Sequence, residues 1–434
     1  MPVDNQGLSI VVSHRSVNRT PSLPPGPAAA GWGLAVLTAI NLFNYLDRWV
    51  VASVVESLKK DLALDDFRIG LLATGFIVVY TFTSPLFGIL GDRGSRPRLL
   101  ALGVGIWSVA TALAGRATGF VSLFLARSAV GIGEAAYGTI SPGLLADYYP
   151  KSRRGRVFAV FFVAIPVGSA LGYVVGGLVD HRWGWRAAFY VAGLPGLLLA
   201  LAALALPDPP RGSQDEEGAV PEGPAPSTRQ VYRDLFRNVP FLLTVLGYAA
   251  YTFAIGGLAF WAPAFLERMR GVPKSQATVE FGAIVVVTGL VGTFAGGWLG
   301  DLLLKRWKEA YLWVSGVATL LAVPFAFVAL SSPSRAVYLP AMVVTEILLF
   351  VSTGPVNSAI VNVVSPGERA SAVALSIFAI HVLGDVPSPP LIGAISEATD
   401  LARALLMVPA AIAVAGAVWT WAAWRGERAA SGPP

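Results

Sequence analysis

Two stretches decide how this chain is organised: GILGDRGSRPR at 88–98 and GWLGDLLLKRWK at 297–308. Each closes a long apolar run. Each reads glycine, then Leu-Gly-Asp, then basic residues. An echo of this kind, two hundred residues apart, points to a duplicated unit rather than to two unrelated loops.

Working outward from the echo, apolar runs of about 20 residues recur along the chain, enough to cross a bilayer core of about 30 Å. They predict helices over 32–55, 68–91, 98–116, 120–147, 157–180 and 185–206. A second set of six follows over 241–267, 278–303, 310–330, 336–364, 370–397 and 402–424. The fold class is therefore an all-α membrane protein with twelve transmembrane helices in two pseudo-symmetric six-helix bundles, 31–206 and 241–424. The segment 207–240 is rich in Pro, Gly and acids and reads as a linker. Residues 1–30 and 425–434 read as tails. Only 13% of the 434 residues are charged, against about a quarter in soluble domains.

Basic loops set the orientation. DRGSRPR, PKSRRGR and KRWK all fall on one side if the amino terminus is inside, which places the linker and both termini in the cytoplasm. The amino-terminal tail has no apolar core, so it is not read as a cleaved signal peptide. The net charge of +6 belongs to these loops and gives no reason to expect nucleic-acid binding. The chain has no cysteine, which excludes disulfides and thiolate metal sites. No metal-ligand spacing, Ser–His–Asp pattern or phosphate loop stands out, so neither a metal nor an enzymatic activity is expected.

Charges inside the spans are the functional clue. Asp47 and Arg48 sit in NLFNYLDRWVVASVV (41–55), and Arg127 and Glu134 sit in RSAVGIGEAAYG (127–138). An ionisable group at mid-bilayer costs roughly 2.5–3.5 kcal/mol on insertion scales, so such groups face a cavity or a partner. Asp47 lies about 12 Å and Arg127 about 10 Å from the outer side at 1.5 Å per residue. Glu134 is two turns deeper than Arg127 on the same face, with Gly131 between them. One reading is a polar cluster in a central cavity, where Asp47 and Glu134 exchange protons and Arg48 and Arg127 meet an anionic head group. The other is a structural ion-pair network. Adjacent helical residues point about 100° apart, so Asp47 and Arg48 need not share a partner.

The second bundle offers Glu346 in mid-helix, and His381 and Asp385 in AIHVLGDVPSPPLIG, where prolines interrupt helical hydrogen bonding. Asn44, Tyr248, Tyr251 and Phe253, with Glu346, His381 and Asp385, are candidate cavity-lining residues. Asp92, Arg93 and Asp301 in the repeated stretches are candidates for a cytoplasmic gate. Gly168, Gly172 and Gly176, four residues apart, mark a close helix-packing stripe.

Twelve helices, two halves and the repeated GDRGSRPR/GDLLLKR pattern resemble the major facilitator superfamily. Ser95 stands where that pattern often has Gly, and Pro97 where it is often basic. NLFNYLDRWVVASVV, RSAVGIGEAAYGTISPGLLADYYP, RGRVFAVFFVAIPVGSALGYVVGG and HVLGDVPSPPLIG together are similar to the Spinster family. The resemblance implies a secondary transporter working by alternating access, proton-coupled, that moves a lysophospholipid or a sphingosine-1-phosphate-like lipid. Asp47 and Glu134 would then be protonation sites, and Arg48 and Arg127 phosphate ligands or carboxylate partners. It further implies no cofactor, with the transmembrane proton gradient as energy source. The expected partners are an amphipathic substrate, protons and the bilayer, the expected state a monomer, and the expected location a bacterial inner membrane. A multidrug or organic-anion exporter is the alternative, and a transport-inactive lipid sensor a third reading.

Overall fold

The computed structural model describes residues 25–211, 213–214, 228–364 and 369–431. The tail through residue 24 and linker residues 215–227 lie outside them. Twelve helices are long and apolar enough to span a membrane. In the first half they are α1 (Pro27–Ser53), α2 (Asp66–Gly91), α3 (Arg96–Ala114), α4 (Phe120–Tyr148), α5 (Val160–Trp183) and α6 (Trp185–Leu204). The second half has α7 (Val239–Arg270), α8 (Lys274–Leu304), α9 (Ala310–Ser331), α10 (Arg335–Ile360), α11 (Ser371–Ala398) and α12 (Leu401–Arg428). No strand occurs among the described residues.

Every predicted helix is present. Ends differ where polar residues carry helical structure past the apolar run, as at α5, whose helix begins at Lys151. Two short helices lie in segments read from sequence as loop and linker. Val55–Leu62 buries Val55 and Leu58 and continues from α1. Thr228–Leu235 precedes α7. Both are amphipathic and too short to span, so a search for apolar runs passes over them.

Packing repeats between the halves. α1 lies on α5, α2 on α4 and α3 on α6; α7 lies on α11, α8 on α10 and α9 on α12. The halves meet through α2 against α11 and through α5 against α8, which are the same pair under exchange of halves. The repeated sequence stretch thus corresponds to a repeated packing scheme.

The glycine stripe explains the α1–α5 contact. A β-carbon at Gly172 would lie 2.6 Å from the Leu46 carbonyl oxygen and 2.9 Å from Trp49 Cβ. Gly168 faces Leu42 and Gly176 faces Ser53 in the same way. Gly172→Val is therefore expected to destabilise the protein by about 1–3 kcal/mol, the usual range for overpacking a tight contact. A thermal-unfolding midpoint equal to that of the native protein would contradict this.

α11 is interrupted where its prolines fall. A π-helical turn covers His381–Asp385 and is followed by Ser388–Ala398. Val386 N–H donates to the His381 carbonyl at 3.0 Å, one residue wider than α-helical spacing. Pro387, Pro389 and Pro390 have no N–H to restore the ladder. Such turns widen a helix locally and re-aim side chains; here His381 and Asp385 point into the space between the halves.

Candidate functional site

The four membrane charges of the first half form two ion pairs with different surroundings. Asp47 has no solvent exposure. Its Oδ1 accepts from Arg127 Nη1 at 3.0 Å, and its Oδ2 accepts from Thr111 Oγ1 at 2.6 Å. Asp47 therefore ties α1 to α3 and α4 with both oxygens bonded. Glu134 Oε2 accepts from Arg48 Nη2 at 2.8 Å. Glu134 Oε1 is buried with no hydrogen-bond partner among the described residues. Gly131 makes this arrangement possible: a β-carbon there would lie 2.5 Å from the Phe76 carbonyl oxygen and 2.9 Å from Tyr80 N.

Arg48 stands apart from the other three. Its side chain is 26% exposed, against 0% for Glu134 and 3% for Arg127. Its guanidinium carbon lies 4.8 Å from the Tyr45 ring centre, 5.0 Å from Phe76 and 5.5 Å from Tyr80. Three aromatic rings hold the cation by its own charge while leaving room for an anion. Of the adjacent pair Asp47 and Arg48, the arginine faces the cavity and the aspartate faces neighbouring helices.

That cavity, about 210 Å³, lies between the halves and is walled by α1, α2, α4, α7 and α11. Arg48, Arg127, Phe76 and Tyr80 form its first-half wall; His381 and Asp385 lie across from them. His381 Nδ1 and Asp385 Oδ2 are 2.9 Å apart, and Tyr80 meets the His381 ring edge-on at 6.3 Å. Gly256 lets Asp385 approach α7, since a β-carbon there would sit 3.1 Å from Asp385 Oδ1. A larger hollow of about 590 Å³ between α9 and α12 is lined by Val323, Phe327, Leu406 and other apolar residues, with no charged group. It suits lipid contact rather than selective binding.

Several expected lining residues lie elsewhere. Tyr251 is buried within the second half, where its hydroxyl donates to the Leu349 carbonyl at 2.7 Å and its ring packs 5.4 Å from Trp419. Tyr248 is half-buried beside Trp419, and its hydroxyl accepts from Asn357 Nδ2 at 3.4 Å. Phe253 is half-buried and Asn44 buried, and neither belongs to the cavity wall. Glu346 is also buried outside the wall. An aromatic-rich helix presents rings on every face, so composition alone does not select the lining face.

The halves are joined at their outer ends, the side opposite the basic loops. Arg268 of α7 donates to Asp66 Oδ2 at 2.6 Å and Oδ1 at 3.1 Å, and to Glu56 Oε1 at 2.5 Å. Ser396 of α11 donates to Asp66 Oδ2 at 2.6 Å. Asp66 N–H donates to Glu397 Oε1 at 2.7 Å. Lys59 also pairs with Asp66, and Lys274 of α8 pairs with Asp180 of α5. Asp66, only 1% exposed, is the hub. Below it, Tyr173 OH donates to the Ala259 carbonyl at 2.7 Å and Thr74 Oγ1 to the Val386 carbonyl at 2.6 Å. Outside the seal, Asp61 is held below its ordinary carboxylate range by hydrogen bonds from Arg186 and Trp185.

At the inner ends, no hydrogen bond or ion pair joins the halves among the described residues. Arg96 pairs with Asp147 and Asp208, all on the first-half side. Asp301 accepts from Tyr311 OH at 2.8 Å within its own half. Arg93 is exposed, and the Asp92 side chain lies outside the described residues. Among the described residues, the hydrogen bonds and ion pairs that join the halves therefore lie toward the outer ends. Removing the hub cation should loosen the seal. Arg268→Ala is expected to raise the outward-open population on the order of tenfold, the scale set by losing one shared charge contact. Spin labels at Lys60→Cys and Ser334→Cys would read this as a longer outer-end distance; the chain has no native cysteine to remove. An unchanged distance distribution would show that Arg268 does not hold the seal.

The sequence did not mark Thr111, the ring set around Arg48, or the outer hub. The acids of ESLKKDLALDDF carried the hub's signal, but they also fit ordinary loop composition.

Twelve spans, two repeated halves and a charged cavity sealed on one side define a membrane transporter. A family model described as Major Facilitator Superfamily matches residues 37–386. Protein spinster homolog 3 of Danio rerio is 38% identical over 381 residues, covering 84% of this chain and 76% of the relative. Protein spinster homolog 1 of Homo sapiens is 36% identical over 405 residues, covering 89% and 76%. The chain belongs to the Spinster family of the Major Facilitator Superfamily. A crystal structure of a bacterial homolog to human lysosomal transporter, Spinster, in an inward-facing and occupied conformation shares the fold, with a TM-score of 0.83 at 22% identity. That match covers 94% of this chain and 100% of the other.

Proposed function

We propose that this transporter carries an amphipathic lipid with an anionic or zwitterionic head, such as a lysophospholipid or a sphingosine-1-phosphate-like molecule, coupled to protons by alternating access. The observation that carries this reading is the Arg48–Glu134 pair at the cavity wall. Arg48 has one carboxylate partner, and an incoming phosphate competes with that partner. Protonating Glu134 removes its charge and releases Arg48 to the substrate anion. Proton and anion then bind with positive coupling, and the coupling is reciprocal. Asp385, across the cavity, suits the ammonium of a zwitterionic head. The cavity is small for a whole lipid, so it accommodates the head while the chain lies along apolar helix surfaces.

Asp47 plays a different part in this reading. With both oxygens bonded, it fixes Arg127 and the α1–α3–α4 junction, while Glu134 is the exchangeable carboxylate. The transmembrane proton gradient supplies the energy, no cofactor takes part, and the protein works as a monomer in a bacterial inner membrane. The exporter alternative is favoured only by Asp385, which also fits an organic cation.

The test is flux. Purified protein in liposomes should move labelled lysophospholipid at a rate that responds to an imposed pH gradient. Flux of cationic drugs without lysolipid flux would select the exporter. Saturable lipid binding without flux would select the sensor.

A further inference from the structure

The short helix Thr228–Leu235, next to the inner end of α7, is built in three stripes. Val231 and Leu235 are buried against Phe241 and Val245 of α7, Ile360 of α10, Val364 just beyond it and Ala372 of α11. Arg229 and Arg233 stand four residues apart on a second face, and Arg237 continues that line just past the helix end. At 100° per residue these three positions fall within one sector. Between the buried and basic stripes lie Tyr232, 36% exposed, and Phe236, 60% exposed.

Among the described residues, nothing neutralises the basic stripe. The three guanidinium groups make no ion pair among the described residues, and the one carboxylate sharing their concave surface is Asp234. Asn238 follows at once and caps α7, accepting from Phe241 N–H at 3.0 Å. The stripe is therefore within a turn or two of where the chain enters the bilayer. A basic face flanked by exposed aromatic rings at that level is the pattern of an interfacial helix. Anionic head groups on the inner leaflet are the opposite charge at the same height.

We propose that Arg229, Arg233 and Arg237 form a binding surface for anionic phospholipid head groups of the cytoplasmic leaflet. The helix is packed against α7, α10 and α11, so a bound lipid ties the second half to the inner leaflet. This site is separate from the central cavity and does not depend on the transported substrate.

The experiment compares retention of phosphatidylglycerol and phosphatidylcholine by the purified full chain, using native mass spectrometry. The native protein should retain phosphatidylglycerol in preference to phosphatidylcholine. Each arginine is worth roughly fivefold at a membrane surface, so the triple variant R229Q/R233Q/R237Q should lower phosphatidylglycerol retention at least tenfold. The charge-keeping variant R229K/R233K/R237K should retain most of it, which separates lost charge from lost fold. Neutralising a different basic loop with K305Q/R306Q/K308Q should leave retention unchanged. Equal retention in the glutamine triple, an equal drop in the control loop variant, or no head-group preference in the native protein would each overturn the proposal. So would binding of soluble glycerol phosphate as tight as that of the lipid.

Discussion

Arg48→Ala is expected to lower lysophospholipid transport by at least thirtyfold in liposomes, corresponding to the loss of roughly 2–5 kcal/mol when one partner of a hydrogen-bonded charge pair is truncated. The effect has two sources. The proposed substrate anion loses the partly exposed cation at the cavity wall, and Glu134, with no solvent exposure, loses its charge partner. Arg48→Lys should recover only part of the rate. An ammonium keeps the charge but lacks the planar fork and stacks less well among Tyr45, Phe76 and Tyr80. Transport by Arg48→Ala at the native rate would remove Arg48 from the substrate path.

The second large effect is on stability. Asp47→Ala leaves Arg127, 3% exposed, without its carboxylate and Thr111 without its acceptor. Breaking a buried pair from one side costs about 3–5 kcal/mol, whereas replacing both members with apolar groups is often close to neutral. The double variant Asp47→Ala/Arg127→Leu should therefore be more stable than Asp47→Ala alone. Denaturation midpoints of the two singles and the double measure the coupling directly. Strict additivity would show that the pair contributes nothing as a pair. Glu134→Gln should behave differently: Arg48 is partly exposed and held by rings, so the expected change is mainly in pH response.

How much of this was readable in the sequence depends on residue type. Charges in apolar runs are rare enough to be informative, and simple depth arithmetic puts Asp47 and Arg127 at similar depth in the membrane. Prolines after Asp385 announce a break in α11, and glycines at four-residue spacing announce a close contact on α5, though not that α1 is the partner. Thr111 was invisible, because a hydroxyl among apolar residues often bonds its own helix backbone. Tyr251 lies off the cavity wall because a ring's fate depends on which face of α7 turns inward. The outer hub was read as loop charge. Asp66 acquires its role only when α7 and α11 deliver Arg268 and Ser396 to it, and no local pattern encodes that meeting.

The central claim is that proton and substrate anion bind cooperatively through the Arg48–Glu134 pair. The direct measurement is the affinity of an anionic lysophospholipid for the purified protein as a function of pH. The native protein should bind more tightly as pH falls, by up to about tenfold per pH unit if one proton is linked. Glu134→Gln should bind tightly throughout, with most of that slope gone; His381 and Asp385 face the same cavity and account for any remainder. A slope in Glu134→Gln equal to that of the native protein would contradict the account.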